Sequence, residues 1–227
     1  MQRKIIETAD GSKTIHLLDW DEHYHSKHGA VQEALHVFIK SGLHHHRNSH
    51  RTEDSKHVIS ILEIGFGTGL NAYLSLLEAT KLDLQINYVG VEAFPVNENE
   101  LKLLNYPEIV LGMAKDELFD ALHSVCWECE HQITDRFALI KRKQLFKDIT
   151  DSTKYDIIYF DAFGPRVQPE LWTENIFRIM YKTLKLNGVL VTYSAKGSVR
   201  RAMLSVGFAV ERLQGPPGKR EMLRATV

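Results

Sequence analysis

The chain has 227 residues, of which 44% are hydrophobic and 25% are charged, and its formal net charge is −1. This composition is typical of a globular protein with one main domain, and it excludes collagen-like, low-complexity and polycationic proteins. The longest apolar runs are too short to cross a bilayer and the N-terminus lacks a secretory apolar stretch, so we expect a cytoplasmic protein with no membrane partner.

Residues 1–57 are predicted to form a small N-terminal extension. Strand-like runs at 4–8 and 14–18 flank Asp10-Gly11, which is a strong hairpin signal. Residues 31–41 have the apolar spacing of an amphipathic helix. The His-rich segment 44–56 is predicted to be a solvated loop, because the run His44-His45-His46 has no carboxylate or cysteine beside it to complete a metal site.

Residues 58–227 are predicted to form the main domain, because buried strand patterns alternate with helix patterns. The predicted strands are 58–64, 86–91, 137–143, 155–160, 188–193, 208–213 and 221–226, and the predicted helices are 68–78, 97–104, 171–184 and 198–206. Residues 107–135 are assigned to an irregular or helical insertion. Alternation of this kind favours an α/β fold with a mostly parallel sheet of seven strands. The turn Gly215-Pro216-Pro217-Gly218 predicts an antiparallel hairpin at the C-terminal edge.

A glycine-rich loop follows the first predicted strand of this domain and opens its first helix. Gly65, Gly67 and Gly69 allow a sharp turn and close approach to a ligand. Their G-x-G-x-G spacing differs from the dinucleotide fingerprint, and Glu63 would repel a pyrophosphate but accept a hydrogen bond from an α-ammonium group. The string from Glu63 to Asn71 resembles the first motif of class I methyltransferases, whose cofactor is S-adenosylmethionine.

Two further carboxylates follow predicted strands. Glu92 ends the second strand of the domain, where a carboxylate can bind both ribose hydroxyls. The resemblance to class I methyltransferases implies that Asp148 contacts the adenine amino group. The predicted cofactor-binding set is Glu63, Gly65, Gly67, Gly69, Asn71, Glu92 and Asp148.

Asp161 directly follows the buried strand 155–160, at the carboxyl end of the sheet, where open α/β sheets bind ligands. A carboxylate there can hold an amine acceptor by accepting its N–H hydrogens. An apolar wall from Phe163 and Pro165 would disfavour the charged ammonium form. We therefore predict Asp161 to be the catalytic residue.

Several strings resemble the methyltransferase domain of the MnmC family, and the likeness spans most of the chain outside 107–136 and the His-rich segment. The sequence carries Gly65-Phe66-Gly67-Thr68-Gly69-Leu70-Asn71 and Asp161-Ala162-Phe163-Gly164-Pro165. It also carries Pro169–Thr173, Thr192–Phe208 and Gly215–Met222, and the likeness extends to Tyr24-His25-Ser26 and to 33–38.

The resemblance implies a Rossmann-like class I methyltransferase that methylates the 5-aminomethyl group of the wobble uridine in transfer RNA. Some members of the family carry a second, FAD-dependent domain. We expect a stand-alone methyltransferase that uses neither FAD nor a metal. The partner is the tRNA anticodon loop, and the predicted substrate-binding residues are the aromatic or apolar Phe163, Pro165 and Trp172 and the basic Lys196, Arg200, Arg201, Lys219 and Arg220.

Other interpretations remain open at this point. The near-neutral charge also suits a methyltransferase of a small-molecule amine, and a non-catalytic module that binds the cofactor or RNA is a third possibility. A nicotinamide dehydrogenase disagrees with the glycine spacing. Cys126 and Cys129 form a C-x-x-C pair flanked by His123 and His131, so a metal or redox site is conceivable, but two ordinary thiols are the preferred interpretation.

Overall fold

The computed structural model describes residues 2–50 and 58–227, and its centre is an eight-stranded sheet. Apolar residues fill the middle strands on both faces, as expected when helices cover a parallel sheet on both sides. The strands of this sheet are β4 (Val58–Ile64), β5 (Gln85–Val91), β6 (Glu130–Thr134), β7 (Phe137–Arg142), β8 (Tyr155–Phe160), β9 (Leu184–Thr192), β10 (Ala209–Gln214) and β11 (Glu221–Thr226).

The strand order is β10-β11-β9-β8-β4-β5-β7-β6. The five central strands, β9, β8, β4, β5 and β7, are parallel, whereas β10, β11 and β6 are antiparallel to their neighbours. Successive strands from β4 run one way through β5 to β7, and the chain then crosses to β8 and β9 on the other side of β4. The loops after β4 and β8 therefore diverge, which opens a crevice at the carboxyl ends of these strands.

Helices cover both faces of the sheet. Alternate strand residues divide between two cores, so that Ile61 packs on one face and its neighbour Leu62 on the other. The helices of the main domain are α3 (Leu70–Leu82), α4 (Glu98–Leu101), α5 (Tyr106–Leu111), α6 (Glu117–Ser124), α7 (Glu174–Thr183) and α8 (Gly197–Ser205).

The N-terminal residues form a second, three-stranded sheet and a continuous helical rod. The strands are β1 (Arg3–Glu7), β2 (Lys13–Leu17) and β3 (Glu22–His23), and the rod consists of α1 (Ala30–Ala34), a π-helical stretch (Leu35–His44) and α2 (His45–Ser49). Gly42 lets the π-helical stretch approach the large sheet closely, since a Cβ there would lie 3.0 Å from Val191 and 3.1 Å from Tyr159. The division of the chain at residue 57 stays a prediction.

The predicted fold class is confirmed, with three corrections. The large sheet has eight strands and not the predicted seven, since β6 forms within the segment 107–135, which was predicted to be an insertion. This strand was missed because its polar sequence, EHQIT, lacks the apolar pattern of a buried strand. The N-terminal hairpin gains the short strand β3. The predicted His-rich loop is helical as far as Ser49, because His46 is buried and His44 Nε2 lies 2.6 Å from Glu78 on α3; residues 51–56 of that segment lie outside the described residues.

None of the helices in the two described ranges combines the length and the apolar character that crossing a bilayer requires.

Candidate active site

A cavity of about 1010 Å³ opens at the carboxyl ends of the parallel strands. Its walls come from the loops after β4, β5, β7, β8 and β9 and from the N-terminal sheet. Seven of the predicted site residues line it: Gly65, Gly67, Asn71, Glu92, Asp161, Phe163 and Lys219. The sheet topology therefore brings together residues that are far apart in sequence, as the strand-end rule predicts.

The glycine loop takes a backbone conformation that other residues rarely adopt. Gly65, Gly67 and Gly69 have φ values of 91°, 50° and 73°. A Cβ at Gly65 would lie 2.6 Å from the Asp161 carbonyl oxygen, so only glycine lets β4 and β8 approach this closely at their ends. Gly69 is the N-cap of α3, which directs the free amides of the first helical turn toward the loop.

Glu92 fastens the glycine loop to the end of β5. One carboxylate oxygen accepts a hydrogen bond from the Gly67 amide at 3.1 Å, and the other accepts one from the Phe94 amide at 2.9 Å. Glu92 also lines the cavity, and each of its oxygens can accept a second hydrogen bond.

Glu63 does not line the cavity, although it was predicted to bind the cofactor directly. Its side chain is buried, and Oε1 accepts a hydrogen bond from Asn71 Nδ2 at 2.9 Å. The same amide nitrogen donates to Asp161 Oδ2 at 2.8 Å. Asn71 thus connects two carboxylates, and its own oxygen has no hydrogen-bond partner within the described residues. Sequence spacing could not reveal that Asn71 lies between Glu63 and the cavity.

Asp161 is held in an environment that favours its protonated form. Burial and the negative charge of Glu33 raise its pKa to about 7, although the Asn71 hydrogen bond and the Lys219 charge act in the opposite direction. Burial also raises the pKa of Glu63 well above its usual range. Asp161 can therefore gain or lose a proton near neutral pH, which suits general acid–base chemistry.

The ion pair between Lys219 and Glu33 lies beside Asp161, and it was not predicted from the sequence. Glu33 on α1 is 6% exposed and accepts a hydrogen bond from the Ser26 amide at 2.8 Å. Lys219 contacts Glu33 Oε1, and its ammonium nitrogen lies 3.9 Å from the centre of the Tyr193 ring. Lys219 was predicted to bind tRNA phosphates, but it is instead held inside the cavity by this ion pair. The likeness at 33–38 was the sequence signal for Glu33.

Aromatic side chains form the outer wall of the cavity. Phe163 meets Tyr24 edge-on at a centroid distance of 5.0 Å and Trp20 at 5.9 Å. His25 also lines the cavity, and burial lowers the pKa of its imidazole to about 4, so the ring is neutral at pH 7. The N-terminal sheet therefore completes the site. The sequence indicated this only at Tyr24-His25-Ser26, which share the resemblance to the MnmC family.

Trp172 lies in the core beneath the cavity and does not line it. It is 5% exposed, packs against Phe160 at 4.9 Å, and donates a hydrogen bond from Nε1 to the Phe163 carbonyl at 2.8 Å. The prediction that Trp172 can stack on a base is therefore corrected: it supports the backbone of Phe163. The apolar ring of Trp172, which suggested a stacking role, is instead buried against neighbouring side chains.

We expect Trp172→Ala to lower the free energy of unfolding by about 3–5 kcal/mol, as for other buried tryptophans. Phe163→Ala should cost much less, since Phe163 is only partly buried. Urea unfolding followed by circular dichroism measures both. Equal losses for the two variants would contradict the supporting role of Trp172.

Three other predicted contacts, Gly69, Asp148 and Pro165, are also absent from the cavity wall. At Gly69, a Cβ would instead meet His123 and Phe66. Asp148 is exposed at the end of a short 3-10 helix, whereas its neighbours Phe146 and Lys147 line the cavity. Pro165 is partly buried but does not line the cavity either. Burial patterns along the sequence could not distinguish these positions from their neighbours, because none of them lies within a long strand or α-helix with a regular apolar pattern.

Basic residues gather beside the cavity at the same edge of the sheet. Lys196 precedes α8 and Arg200 and Arg201 lie in its first turns, just after β9. Arg220 lies in the turn between β10 and β11, which reaches this edge because Leu223 pairs with Thr192 at the end of β9. Lys196, Arg201 and Arg220 are exposed, and Arg200 is partly buried.

Comparisons with known proteins agree with this geometry. The sequence profile of a family described as S-adenosyl-L-methionine-dependent methyltransferase matches residues 128–227. The chain is 30% identical over 217 residues to the tRNA 5-methylaminomethyl-2-thiouridine biosynthesis bifunctional protein MnmC of a Marinomonas species, covering 91% of this chain and 31% of that protein. The protein of the same name from Ectopseudomonas mendocina is 29% identical and is covered to 34%. The chain thus spans about a third of the length of the curated relatives it matches.

Solved structures agree with the fold. The crystal structure of MnmC2 from Aquifex aeolicus superposes with a TM-score of 0.78 at 28% identity, covering 99% of this chain and 69% of that chain. A probable spermidine synthase from Corynebacterium glutamicum superposes with a TM-score of 0.54 at 16% identity, covering 99% of this chain and 76% of that chain, which shows a shared fold alone. In sequence and in fold, the chain is therefore similar to MnmC-type methyltransferase domains of the S-adenosyl-L-methionine-dependent class.

Proposed function

We propose that this protein transfers a methyl group from S-adenosylmethionine to the 5-aminomethyl group of the wobble uridine in tRNA. The observation that carries the proposal is Asp161, a carboxylate with a pKa of about 7 that lines the same cavity as the glycine loop. The relatives whose names refer to tRNA 5-methylaminomethyl-2-thiouridine biosynthesis support this choice of substrate.

The residues of the cavity fit S-adenosylmethionine. The glycine loop provides a close-fitting cradle, because Gly65 and Gly67 line the cavity with positive φ and without side chains. Asn71 Oδ1 is a buried acceptor with no hydrogen-bond partner within the described ranges, so it suits the α-ammonium group, with Glu63 behind it as a positioning residue. Glu92 is the candidate partner of the ribose hydroxyls. Asp148 is the candidate for the adenine amino group, at the end of a segment whose preceding residues, Phe146 and Lys147, line the cavity.

Asp161 would orient the acceptor amine. S-adenosylmethionine supplies an electrophilic methyl group on a sulfonium. Asp161 accepts an N–H hydrogen of the neutral primary amine, so that the nitrogen lone pair is aimed at the methyl group. The substituted nitrogen carries an extra proton after the transfer, and Asp161 is placed to receive it. Positioning and desolvation account for most of this catalysis, and Asn71 holds the carboxylate in place.

The outer wall and the basic edge suit an RNA loop. Phe163 lines the cavity, where its ring could support an unstacked wobble base. Lys196, Arg200, Arg201 and Arg220 offer cations for the phosphates of the anticodon loop. This charged edge is the feature that favours tRNA over a small-molecule amine.

The direct test is mass spectrometry of wobble nucleosides after incubation of the protein and S-adenosylmethionine with tRNA bearing 5-aminomethyluridine. We expect 5-methylaminomethyluridine or its 2-thio counterpart to form. The free 5-aminomethyl nucleoside is the matched small-molecule substrate. Methylation of the free nucleoside at a rate equal to that of tRNA would favour the small-molecule alternative, and no product from either would overturn the proposal.

Binding of tRNA should weaken steeply with salt, because each neutralised phosphate releases counterions. We expect Lys196→Gln and Arg220→Gln each to reduce the slope of log K against log salt by about 0.7–0.9, which corresponds to one lost phosphate contact. Filter binding over a range of KCl concentrations measures the slope. Lys182→Gln is the control, since Lys182 is exposed near the end of α7, at the opposite edge of the sheet, and should leave the slope unchanged.

A further inference from the structure

A second group of chemically reactive side chains lies outside the cavity, in the turn between α6 and β6. Cys126 and Cys129 are exposed free thiols, and His131 follows on β6. Cys126 Sγ lies 3.1 Å from His131 Nε2, and the three candidate ligand atoms all lie within 4.8 Å of one another. We propose that Cys126, Cys129 and His131 form a zinc site with three protein ligands.

The donor set and the distances suit this metal. Two thiolates and an imidazole are ligands that Zn²⁺ prefers, whereas Mg²⁺ and Ca²⁺ prefer oxygen. In a tetrahedral zinc site with Zn–S bonds of about 2.3 Å, neighbouring ligand atoms are about 3.5–3.8 Å apart. Small side-chain rotations would therefore bring the observed separations between the three ligand atoms to those of a zinc site. The exposure of both cysteines gives the ion access and leaves a fourth position for water.

The backbone around the cysteines is already fixed in the conformation that a metal needs. Glu128, between the two thiols, has a φ of 65° and donates its amide to the Lys141 carbonyl at 2.7 Å. Its carboxylate accepts a hydrogen bond from the Lys143 amide at 2.6 Å. These contacts with β7 and the residue that follows it hold the turn, so the thiols converge without ordering a flexible loop, and less entropy is lost on binding.

His123 does not belong to this group, although its position in the sequence made it a conceivable fourth ligand. Its ring is partly buried and meets Phe66 and Phe119 edge-on, with centroid distances of 6.2 Å and 4.7 Å. Trp127 lies within the proposed metal-binding turn and meets Phe66 of the glycine loop edge-on at 6.1 Å. A bound ion would therefore brace a turn that packs against the back of the glycine loop.

Cobalt substitution gives a direct test with the untagged full chain, purified under reducing conditions and stripped of metal. Titration with Co²⁺ should give one equivalent of bound ion with a thiolate-to-cobalt charge-transfer band, and Zn²⁺ should displace it. We expect Cys126→Ser and Cys129→Ser each to weaken Zn²⁺ binding by at least about 100-fold and to abolish or reduce the band. His131→Ala should weaken binding while leaving a thiolate band.

His45→Ala is the control, because His45 belongs to the only run of three histidines in the sequence and lies outside the proposed site. It should leave the titration unchanged. The circular dichroism spectrum of each variant verifies its fold, which should persist because the two cysteines are exposed. A titration without a charge-transfer band, or a band that survives in the Cys126→Ser, Cys129→Ser double variant, would overturn the proposal.

Discussion

Asp161→Asn should reduce the rate of methyl transfer to aminomethyl-bearing tRNA by about 10²–10⁴-fold, the range usual for loss of a general acid–base group. Asparagine keeps the shape of the side chain and an oxygen that can accept the Asn71 hydrogen bond. It cannot take up the proton that the amine must lose, and it carries no negative charge to orient the N–H hydrogens. Single-turnover assays with saturating S-adenosylmethionine measure this loss.

Cofactor affinity should change far less than turnover in this variant, because the glycine loop and Glu92 are untouched. Isothermal titration calorimetry with S-adenosylhomocysteine provides that comparison. Asp135→Asn is the matched control, since Asp135 is exposed in the turn between β6 and β7 and does not line the cavity. Turnover by Asp161→Asn at the rate of the control would remove Asp161 from the mechanism.

The pH dependence of turnover should report the charges around Asp161. Since its pKa is raised to about 7 and the carboxylate is the active form, kcat/KM should rise as the pH increases through about 7. Glu33 raises this pKa and Lys219 lowers it. We therefore expect Glu33→Gln to move the rising limb to lower pH and Lys219→Met to move it to higher pH.

These opposite shifts separate an electrostatic role from a structural one, because general damage to the site would lower the rate without moving the limb in opposite directions. Lys219→Met should also destabilise the fold, since Glu33 keeps a buried carboxylate without its cation. The cost should be on the order of 2 kcal/mol, below the about 3–5 kcal/mol of fully buried pairs, because the Lys219 side chain is 31% exposed. Shifts of both variants in the same direction would contradict the account.

Much of the cavity follows from the sequence because parallel strands end at one edge. Once strands were placed before Gly65, Glu92 and Asp161, the topology required these three residues to lie at the same end of the sheet. The apolar runs of β4 and β8 fixed those strand ends without ambiguity, and the observed bounds of both strands agree with the prediction. Local patterns were sufficient here because burial on both faces leaves a strong signal.

The remaining parts of the site depend on contacts that no local pattern encodes. The position of Asn71 between Glu63 and Asp161 depends on the packing of α3 against two strand ends. Lys219 appears in the sequence as one of several basic residues near the C-terminus, and only the fold brings it to Glu33, 186 positions away. Trp172 is of a residue type that often stacks on bases, but the neighbouring Phe160 and Phe177 bury it.

The central claim is that the cavity beside the glycine loop binds S-adenosylmethionine with its methyl group directed toward Asp161. A crystal structure of the protein with this ligand tests it most directly. We predict the amino-acid end at Asn71, the ribose at Glu92 and the sulfonium methyl facing the space between Asp161 and Phe163. Density for the ligand elsewhere on the molecule, or a methyl group turned away from Asp161, would contradict the account.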